Sequence, residues 1–429
     1  MANILEYLVW RGDLSLAVSP FNEVDNLILS ELAFLDFDGI LTEKVNETIT
    51  LREVAERLSI YREEDLAESG VLIPKEIAPL FYRAAGSERF GSIALCGFES
   101  RIDIDSEMQF AAVAFLLGDG TIFVSYRGTD DTLIGWKEDF NMSFLSVVPA
   151  QRYAAHFLDK IASLYPSDLR LGGHSKGGNL AVYAAATAPI EMQKRILAVY
   201  NNDGPGFLRE FLDSEGYGRI RDRVRTIVPQ TSIVGMLLEH ETSYTVVKSM
   251  QNGLFQHDGF SWEVLGTGFI VLDDRTSESK FVDRTLKAWV ASIEPAEREE
   301  FVEALYKILS ATSATTLSDL YADKEVLWRI FRSITPTQRS ILQKTLRGLF
   351  YEGQRILRID RDEERMRKRV LAEEKREQSR LQIEEEKRKR KNEAAKKRSE
   401  KNKKQRKNAT DDVRGIRIRM VFVKASQRT

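Results

Sequence analysis

Apolar positions fall at helical spacing through the first 80 residues. Asn22 to Phe34 (NEVDNLILSELAF) predicts a helix, and Thr50 to Ser59 predicts a second, amphipathic one. Thr50 and Glu53 have capping-box spacing at its start. Between these pieces Leu35 to Gly39 reads as a short strand or turn, and Trp10-Arg11-Gly12-Asp13 as an extended lead-in. Pro74 and Pro79 then punctuate the chain. Residues 1–80 are expected to pack on the main domain as an N-terminal segment.

From Ser92 the pattern becomes that of strands. Ser92 to Phe98 is one, and Ala111 to Leu117 pairs with Thr121 to Tyr126 across Gly118-Asp119-Gly120. Ala150 to Tyr165 is an amphipathic helix stopped by Pro166. Further strands are expected at Leu169 to Leu171, Ile196 to Tyr200, Val224 to Val228, Tyr244 to Lys248 and Trp262 to Leu265, with helices at the Ala-rich stretch before Pro189 and at Phe207 to Leu212. Strands alternating with helices imply a mostly parallel sheet with helices on both faces, and the early hairpin adds an antiparallel edge. That is the α/β-hydrolase arrangement, expected over residues 81–290. Lys280 to Ile293, Ala296 to Leu309 and Leu317 to Phe350 continue as a helical region, with 291–350 as its own segment.

Residues 351–429 differ in kind. They hold 28 Lys+Arg against 15 Asp+Glu, leaving 35 against 50 in residues 1–350. A basic tail thus follows an acidic body, although the whole chain has a net charge of −2. The apolar positions Ile356, Ile359, Met366, Val370, Leu381 and Ile383 keep no clean heptad, so a long charged helix or a disordered tail is expected rather than a coiled coil. Ile416 to Val423 alternates and reads as a short strand. The tail's charge points to an anionic partner, a membrane surface or a nucleic acid. It lacks the interleaved aromatics of a dedicated nucleic-acid arm.

The single cysteine, Cys96, excludes an internal disulfide framework and fits a reducing compartment. The opening MANILEYLVWRGDLS has no basic leader or long apolar run, and no stretch has the roughly 20 apolar residues of a membrane span. A cytoplasmic protein is expected.

Candidate chemistry centres on Gly173-His174-Ser175-Lys176-Gly177. G-x-S-x-G between a strand and a helix is the pattern of a nucleophile elbow, where a serine sits on a strained turn at a helix N-terminus. The competing reading is a Gly-rich turn with an incidental serine. A serine nucleophile needs a base, an acid and an oxyanion hole. The chain has four histidines. His174 lies inside the elbow and reads as structural; His156 sits in a helix as packing or surface. His257 and His240 follow the serine, as chain order in this fold requires, and His257, in a loop ahead of the Trp262 strand, is preferred as base; His240 reads as a helix cap. The N–H of Lys176 and that of Thr129, in the loop after the Thr121–Tyr126 strand, are the expected oxyanion donors, with the Thr129 hydroxyl as an additional one. The alternative for Arg127-Gly128 is simple strand termination. No cofactor is implied, and no metal, because the histidines have no ligand spacing.

Tyr126-Arg127-Gly128-Thr129, Trp136, Asp139-Phe140, the Gly173–Gly178 run and His257 with Trp262 resemble class 3 lipases. Trp10-Arg11-Gly12-Asp13, Pro20-Phe21-Asn22-Glu23-Val24-Asp25-Asn26, Asn202-Asp203-Gly204-Pro205-Gly206-Phe207, Ser232-Ile233-Val234-Gly235-Met236-Leu237-Leu238 and Gln256-His257-Asp258 resemble a bacterial family of unknown function, the Mbeg-like proteins, classed with α/β-hydrolases. The resemblance spans about residues 1–290 and implies a serine acyl hydrolase of esterase or lipase type, acting on an ester or lipid. One departure stands out. Class 3 lipases carry the triad acid after the strand matching Val224–Val228, where this chain has Pro229-Gln230-Thr231-Ser232-Ile233-Val234 and no carboxylate. Ser232 occupies that position. Asp203 is then the leading acid, ahead of Glu239 and Asp258; its other reading is a turn former in Asp-Gly-Pro-Gly. Phe207, Phe211, Met236, Leu237 and Phe255 line an acyl pocket or belong to the core. The alternative function is a non-catalytic binding or scaffold protein that keeps the hydrolase fold and acts through its basic tail.

Overall fold

A computed structural model describes residues 2–58, 74–130, 132–240, 243–310 and 335–425, with side chains described except at 307–310 and 408–425. The elements in chain order are α1 (Ile4–Arg11), α2 (Glu23–Leu32), β1 (Ile49–Thr50), α3 (Leu51–Leu58), α4 (Ile77–Gly86), β2 (Ala94–Asp103), β3 (Met108–Leu116), β4 (Ile122–Tyr126), α5 (Leu133–Asn141), α6 (Pro149–Leu164), β5 (Leu169–His174), α7 (Lys176–Thr187), α8 (Ile190–Arg195), β6 (Ile196–Asn202), α9 (Arg209–Leu212), α10 (Glu215–Ile220), β7 (Val224–Pro229), β8 (Tyr244–Val247), β9 (Val264–Leu265), β10 (Gly268–Phe269), β11 (Val271–Leu272), α11 (Ser277–Ala291), α12 (Pro295–Ser310) and α13 (Pro336–Ala425).

Nine strands form one sheet in the order β1-β2-β3-β4-β5-β6-β7-β8-β11. Strands β4 to β8 run parallel; β1 to β4 at one edge and β11 at the other are antiparallel. Strand alternation sends successive side chains to two cores. On β4, Phe123 joins a core with α1, α2 and α4, while Ile122, Val124 and Tyr126 join a second core with α6 and α7. Cys96 is buried in that second core, and burial pushes its thiol up to about 11.

Several elements differ from the sequence-based expectation. Trp10-Arg11 ends a helix instead of forming an extended lead-in. Asn3 and Glu6 make a reciprocal capping box, and Ile4, Tyr7 and Leu8 share the buried face. The prolines at 74 and 79 do not prevent α4. The strand expected at Ser92–Phe98 runs on to Asp103 and returns as β3 through a turn with Glu107 at φ 56°. The stretch around Asp139, for which the sequence pattern predicts no element, is helix α5, capped by Thr132 Oγ1 accepting from the Gly135 N–H. The helix expected at Phe207–Leu212 is a single turn, α9. Ile416 to Val423 is helical within α13, not a strand: helical periodicity imposed by the preceding chain overrides a short alternating pattern. Asp131, Ser59 and residues 317–334 of the expected last helix lie outside the described residues.

The chain divides into two units, Met1–Ile356 and Leu357–Thr429. In the first, α2 lies against β5 through a polar seam. Asn26 Nδ2 donates to Asn202 Oδ1 at 2.8 Å, Asn202 Nδ2 donates to Gly173 O at 3.1 Å, and Ser125 Oγ donates to Leu29 O at 3.0 Å. The base of α2 is fixed by a fully buried ion pair: Arg89 Nε donates to Asp25 Oδ1 at 2.6 Å, and Tyr7 Oη donates to the same oxygen at 3.0 Å. In the second unit the described side chains are mostly charged and exposed. No helix among the described residues is long and apolar enough to cross a membrane.

Candidate active site

Strand β5 ends at His174 and α7 begins at Lys176, so Ser175 alone makes the turn. Its backbone sits at φ 57°, ψ −132°, a conformation that costs a non-glycine residue roughly 1–3 kcal/mol. The turn is possible because a Cβ on Gly177 would lie 2.0 Å from Tyr126 O. The Ser175 N–H donates to Asn202 O at 2.9 Å, which sets the elbow beside the end of β6. Lys176 is the first residue of α7, so its N–H has no acceptor within the helix.

Asp203 follows β6 directly. It is fully buried and holds φ 50°, a left-handed conformation that aspartate tolerates better than most residues. Its N–H donates to Ile227 O at 2.8 Å. His257 Nδ1 lies 2.7 Å from Asp203 Oδ2, and Ser232 Oγ donates to Asp203 Oδ1. Nδ1 therefore carries the proton that faces the carboxylate, and Nε2 is left for the site. The loop bearing His257 is braced from behind: Trp262 Nε1 donates to Gln256 O at 2.9 Å, and Gln256 Oε1 accepts from the Thr231 N–H at 2.7 Å. Among the described residues the side-chain hydrogen bond of the His257 imidazole is to Asp203 and not to the Ser175 hydroxyl; catalytic hydrogen bonds often tighten only when substrate binds.

The other acids and histidines are engaged elsewhere. Glu239 is exposed and pairs with Arg209 at 3.6 Å; Asp258 Oδ1 accepts from the Phe260 N–H at 3.0 Å. His156 is exposed on α6. His240 is pushed down to about 4, first by burial, and its Nε2 has no partner among the described residues. His174, inside the elbow, is buried and lies under His257, with ring centroids 4.6 Å apart.

The loop Arg127-Gly128-Thr129 passes close to the elbow: a Cβ on Gly128 would lie 2.6 Å from His174 O and 3.1 Å from Ser175 Cβ. The Thr129 hydroxyl, expected as an oxyanion donor, instead donates to Asp139 Oδ2 at 2.5 Å. A buried carboxylate is the stronger acceptor, so only the Thr129 N–H remains for an oxyanion. Burial raises the Asp139 carboxyl to about 6 against the charge of Lys176 and the Thr129 hydrogen bond, which lower it. The Lys176 side chain turns inward, where Nζ donates to Glu138 Oε2 at 3.0 Å, Gln109 Oε1 at 2.6 Å and Gln109 O at 2.9 Å. Glu138 also accepts the N–H groups of Gln109 and Ala150 at 3.0 and 2.8 Å. This cluster ties α5 and β3 to the first residue of α7. Sequence reading missed the side-chain roles of Lys176, Glu138, Gln109 and Ser232; their local patterns carry no signal for contacts made across the sheet.

Of the apolar residues expected to line an acyl pocket, Phe207 and Phe211 stack at 4.2 Å and line a shallow recess with Met142, Leu145 and Leu238. The recess has about 10 Å³ of space, room for a single water. Met236 instead packs with Val228 and Val246 in the core, and Phe255 stands 74% exposed two residues before His257.

A parallel sheet with an antiparallel edge, helices on both faces and a strained serine between a strand and a helix defines the α/β-hydrolase fold. Residues 84–307, just over half of the chain, match the profile of the Mbeg1-like family, and the chain belongs to that family. Among solved structures the chain is similar to M37 lipase, at 12% identity over 56% of this chain and 82% of that one, with a TM-score of 0.30. It is also similar to a Rhizomucor miehei lipase in its propeptide complex (14% identity, 58% and 81% covered, TM-score 0.28) and to a lipase from Rhizopus microsporus var. chinensis (13%, 55% and 86%, 0.28). No curated protein matches the chain.

Proposed function

We propose that the protein is a serine hydrolase that cleaves carboxylic esters, lipid esters among them. Ser175 Oγ attacks the carbonyl carbon and His257 Nε2 takes its proton. The Nδ1–H of His257 stays on Asp203 Oδ2 throughout and stabilises the imidazolium that forms. The N–H groups of Lys176 and Thr129 hold the oxyanion, each donor contributing about 3–4 kcal/mol to transition-state stabilisation. Collapse of the tetrahedral intermediate breaks the ester C–O bond, and His257 gives its proton to the leaving alcohol. Water, deprotonated by the same imidazole, then hydrolyses the acyl-enzyme.

The observation that carries this reading is the His257 Nδ1–Asp203 Oδ2 contact at 2.7 Å, with the carboxylate fully buried, beside a serine at φ 57°. A fluorophosphonate probe tests it. Labelling of the full chain that disappears in Ser175→Ala is expected. Folded wild-type protein that stays unlabelled between about pH 6 and 9 overturns the reading, because a neutral imidazole base operates in that range.

A second reading concerns the charged helix. Residues 387–407 hold 13 Lys+Arg and two Glu, all exposed, whereas residues 357–386 are near balance. We infer an anionic, phosphate-bearing partner for this stretch, alongside the enzyme activity. Binding of the full chain to a random-sequence duplex and to phosphatidylserine vesicles, measured against salt, separates nucleic acid from membrane. Binding to neither at low salt overturns this second reading.

A further inference from the structure

Behind His257 lies a second polar chain that the proposed mechanism does not use. His174 Nε2 is 2.7 Å from the main-chain oxygen of His257, and a carbonyl only accepts. His174 Nδ1 faces Glu31 Oε1 at 3.5 Å. Glu31 comes from α2 and is completely buried, and neither of its carboxyl oxygens has a hydrogen-bond partner among the described residues. Gly259 closes over it, a Cβ there falling 2.7 Å from Oε1.

These positions restrict where protons sit. A neutral imidazole has one N–H, and the His257 carbonyl claims it for Nε2. Nδ1 then presents a lone pair to the Glu31 carboxyl. Two bare acceptors facing each other in a dry interior repel; a carboxyl that keeps its proton supplies the missing donor. Burial acts the same way on both groups. It holds His174 down at about 3, aided by the charge of His257, and it raises Glu31 well above the usual carboxylate range, aided by Asp258. Neutrality of His174 also matters for the base. The two ring centroids lie only 4.6 Å apart, so a cationic His174 would oppose formation of the His257 imidazolium.

We propose that Glu31 and His174 are positioning residues for His257: the Glu31 carboxyl donates to His174 Nδ1, and His174 donates from Nε2 to the His257 carbonyl. The base is then held twice, its ring by Asp203 and its main chain by the elbow histidine. The motif histidine thereby links α2, which precedes the hydrolase core in sequence, to the loop that carries the base. The catalytic consequence rests on the serine-hydrolase reading; the hydrogen-bond chain does not.

The test uses full-length protein labelled with 15N-histidine, in which two-bond 15N–1H correlations report the tautomer of each ring. Wild type near neutral pH is expected to show His174 as Nε2–H and His257 as Nδ1–H. Glu31→Gln, whose amide keeps a donor toward Nδ1, is expected to preserve both signatures and to label with fluorophosphonate within about twofold of wild type. Glu31→Leu, which fills similar space without a donor, is expected to lose the single His174 tautomer and to label about tenfold more slowly, in line with the loss of partners that orient a functional imidazole. A His174 that is Nδ1–H or cationic in wild type overturns the proposal without any variant. So does a folded Glu31→Leu protein with unchanged tautomers. If wild type does not label at all, the hydrolase reading fails, while the tautomers still decide the hydrogen-bond chain.

Discussion

Ser232 donates its hydroxyl hydrogen to Asp203 Oδ1, while Oδ2 of the same carboxylate receives His257 Nδ1. Ser232, at the position where the sequence resemblance places the acid, therefore anchors the carboxylate proposed to take that role. A hydrogen bond to a charged group contributes about 1.5–3 kcal/mol. Ser232→Ala is expected to slow fluorophosphonate labelling by roughly tenfold, through a less well-oriented imidazole, and to lower stability by about 1.5–3 kcal/mol in urea unfolding, because an oxygen of a buried carboxylate loses its donor. Labelling at the wild-type rate would show that Asp203 needs no second anchor.

Asp203→Asn keeps shape and burial but presents an amide to His257 Nδ1. The imidazole is then stabilised in the tautomer that turns its N–H toward the serine, where it cannot accept a proton. A fall in labelling rate of about 10⁴-fold is expected at neutral pH, with near-native circular dichroism. Ser232→Asp in the wild-type background sets two carboxylates against each other and is expected to be similarly impaired. Combined with Asp203→Asn, it is expected to recover part of the lost rate; the double variant's rate against each single variant is the measurement.

The Arg89–Asp25 pair anchors the helix that brings Asn26, Ser30 and Glu31 under the elbow. Both side chains are fully buried, so removing one leaves an uncompensated charge. Arg89→Met is expected to lower stability by about 3–5 kcal/mol in urea unfolding. The double change Arg89→Met with Asp25→Leu is expected to recover much of that loss, because the stranded carboxylate goes as well.

Asp139 gives a pH signature. Its folded value of about 6 lies above the ordinary 3.8, because burial outweighs Lys176 and the Thr129 hydrogen bond. Between those values the native state holds a proton that the unfolded chain has released. This group's contribution to stability is therefore full below pH 3.8 and is lost as pH rises to about 6, a change of roughly 3 kcal/mol. His174, held at about 3, acts with the opposite sign between there and 6.5, so the two partly cancel in wild type. Asp139→Asn removes one of them. Its unfolding free energy relative to wild type is expected to rise between pH 4.5 and 7, and a constant difference across that range would refute the raised carboxyl.

How much of this was legible in the sequence depends on the range of the interactions. The elbow, the hairpin at Gly118-Asp119-Gly120, the capping box of α3 and the alternation of strands with helices are written in residues a few positions apart. Local backbone chemistry and side-chain period determine them, and they imply the fold class without any partner from elsewhere. Asp203 and His257 were also legible as candidates, because the chain has four histidines and the strand ends are where site residues gather. What only the tertiary structure decided is which groups meet. Ser232 and Asp203 are 29 positions apart, Lys176 and Glu138 are 38, and His174 and Glu31 are 143. Their pairing is set by strand order and by the docking of α2 on β5, and each side chain on its own looks like an ordinary polar residue. Burial also reversed one expectation. Close to a buried carboxylate, the Thr129 hydroxyl goes to Asp139 and not to the oxyanion position, because desolvated charge outcompetes an open site for the nearest donor.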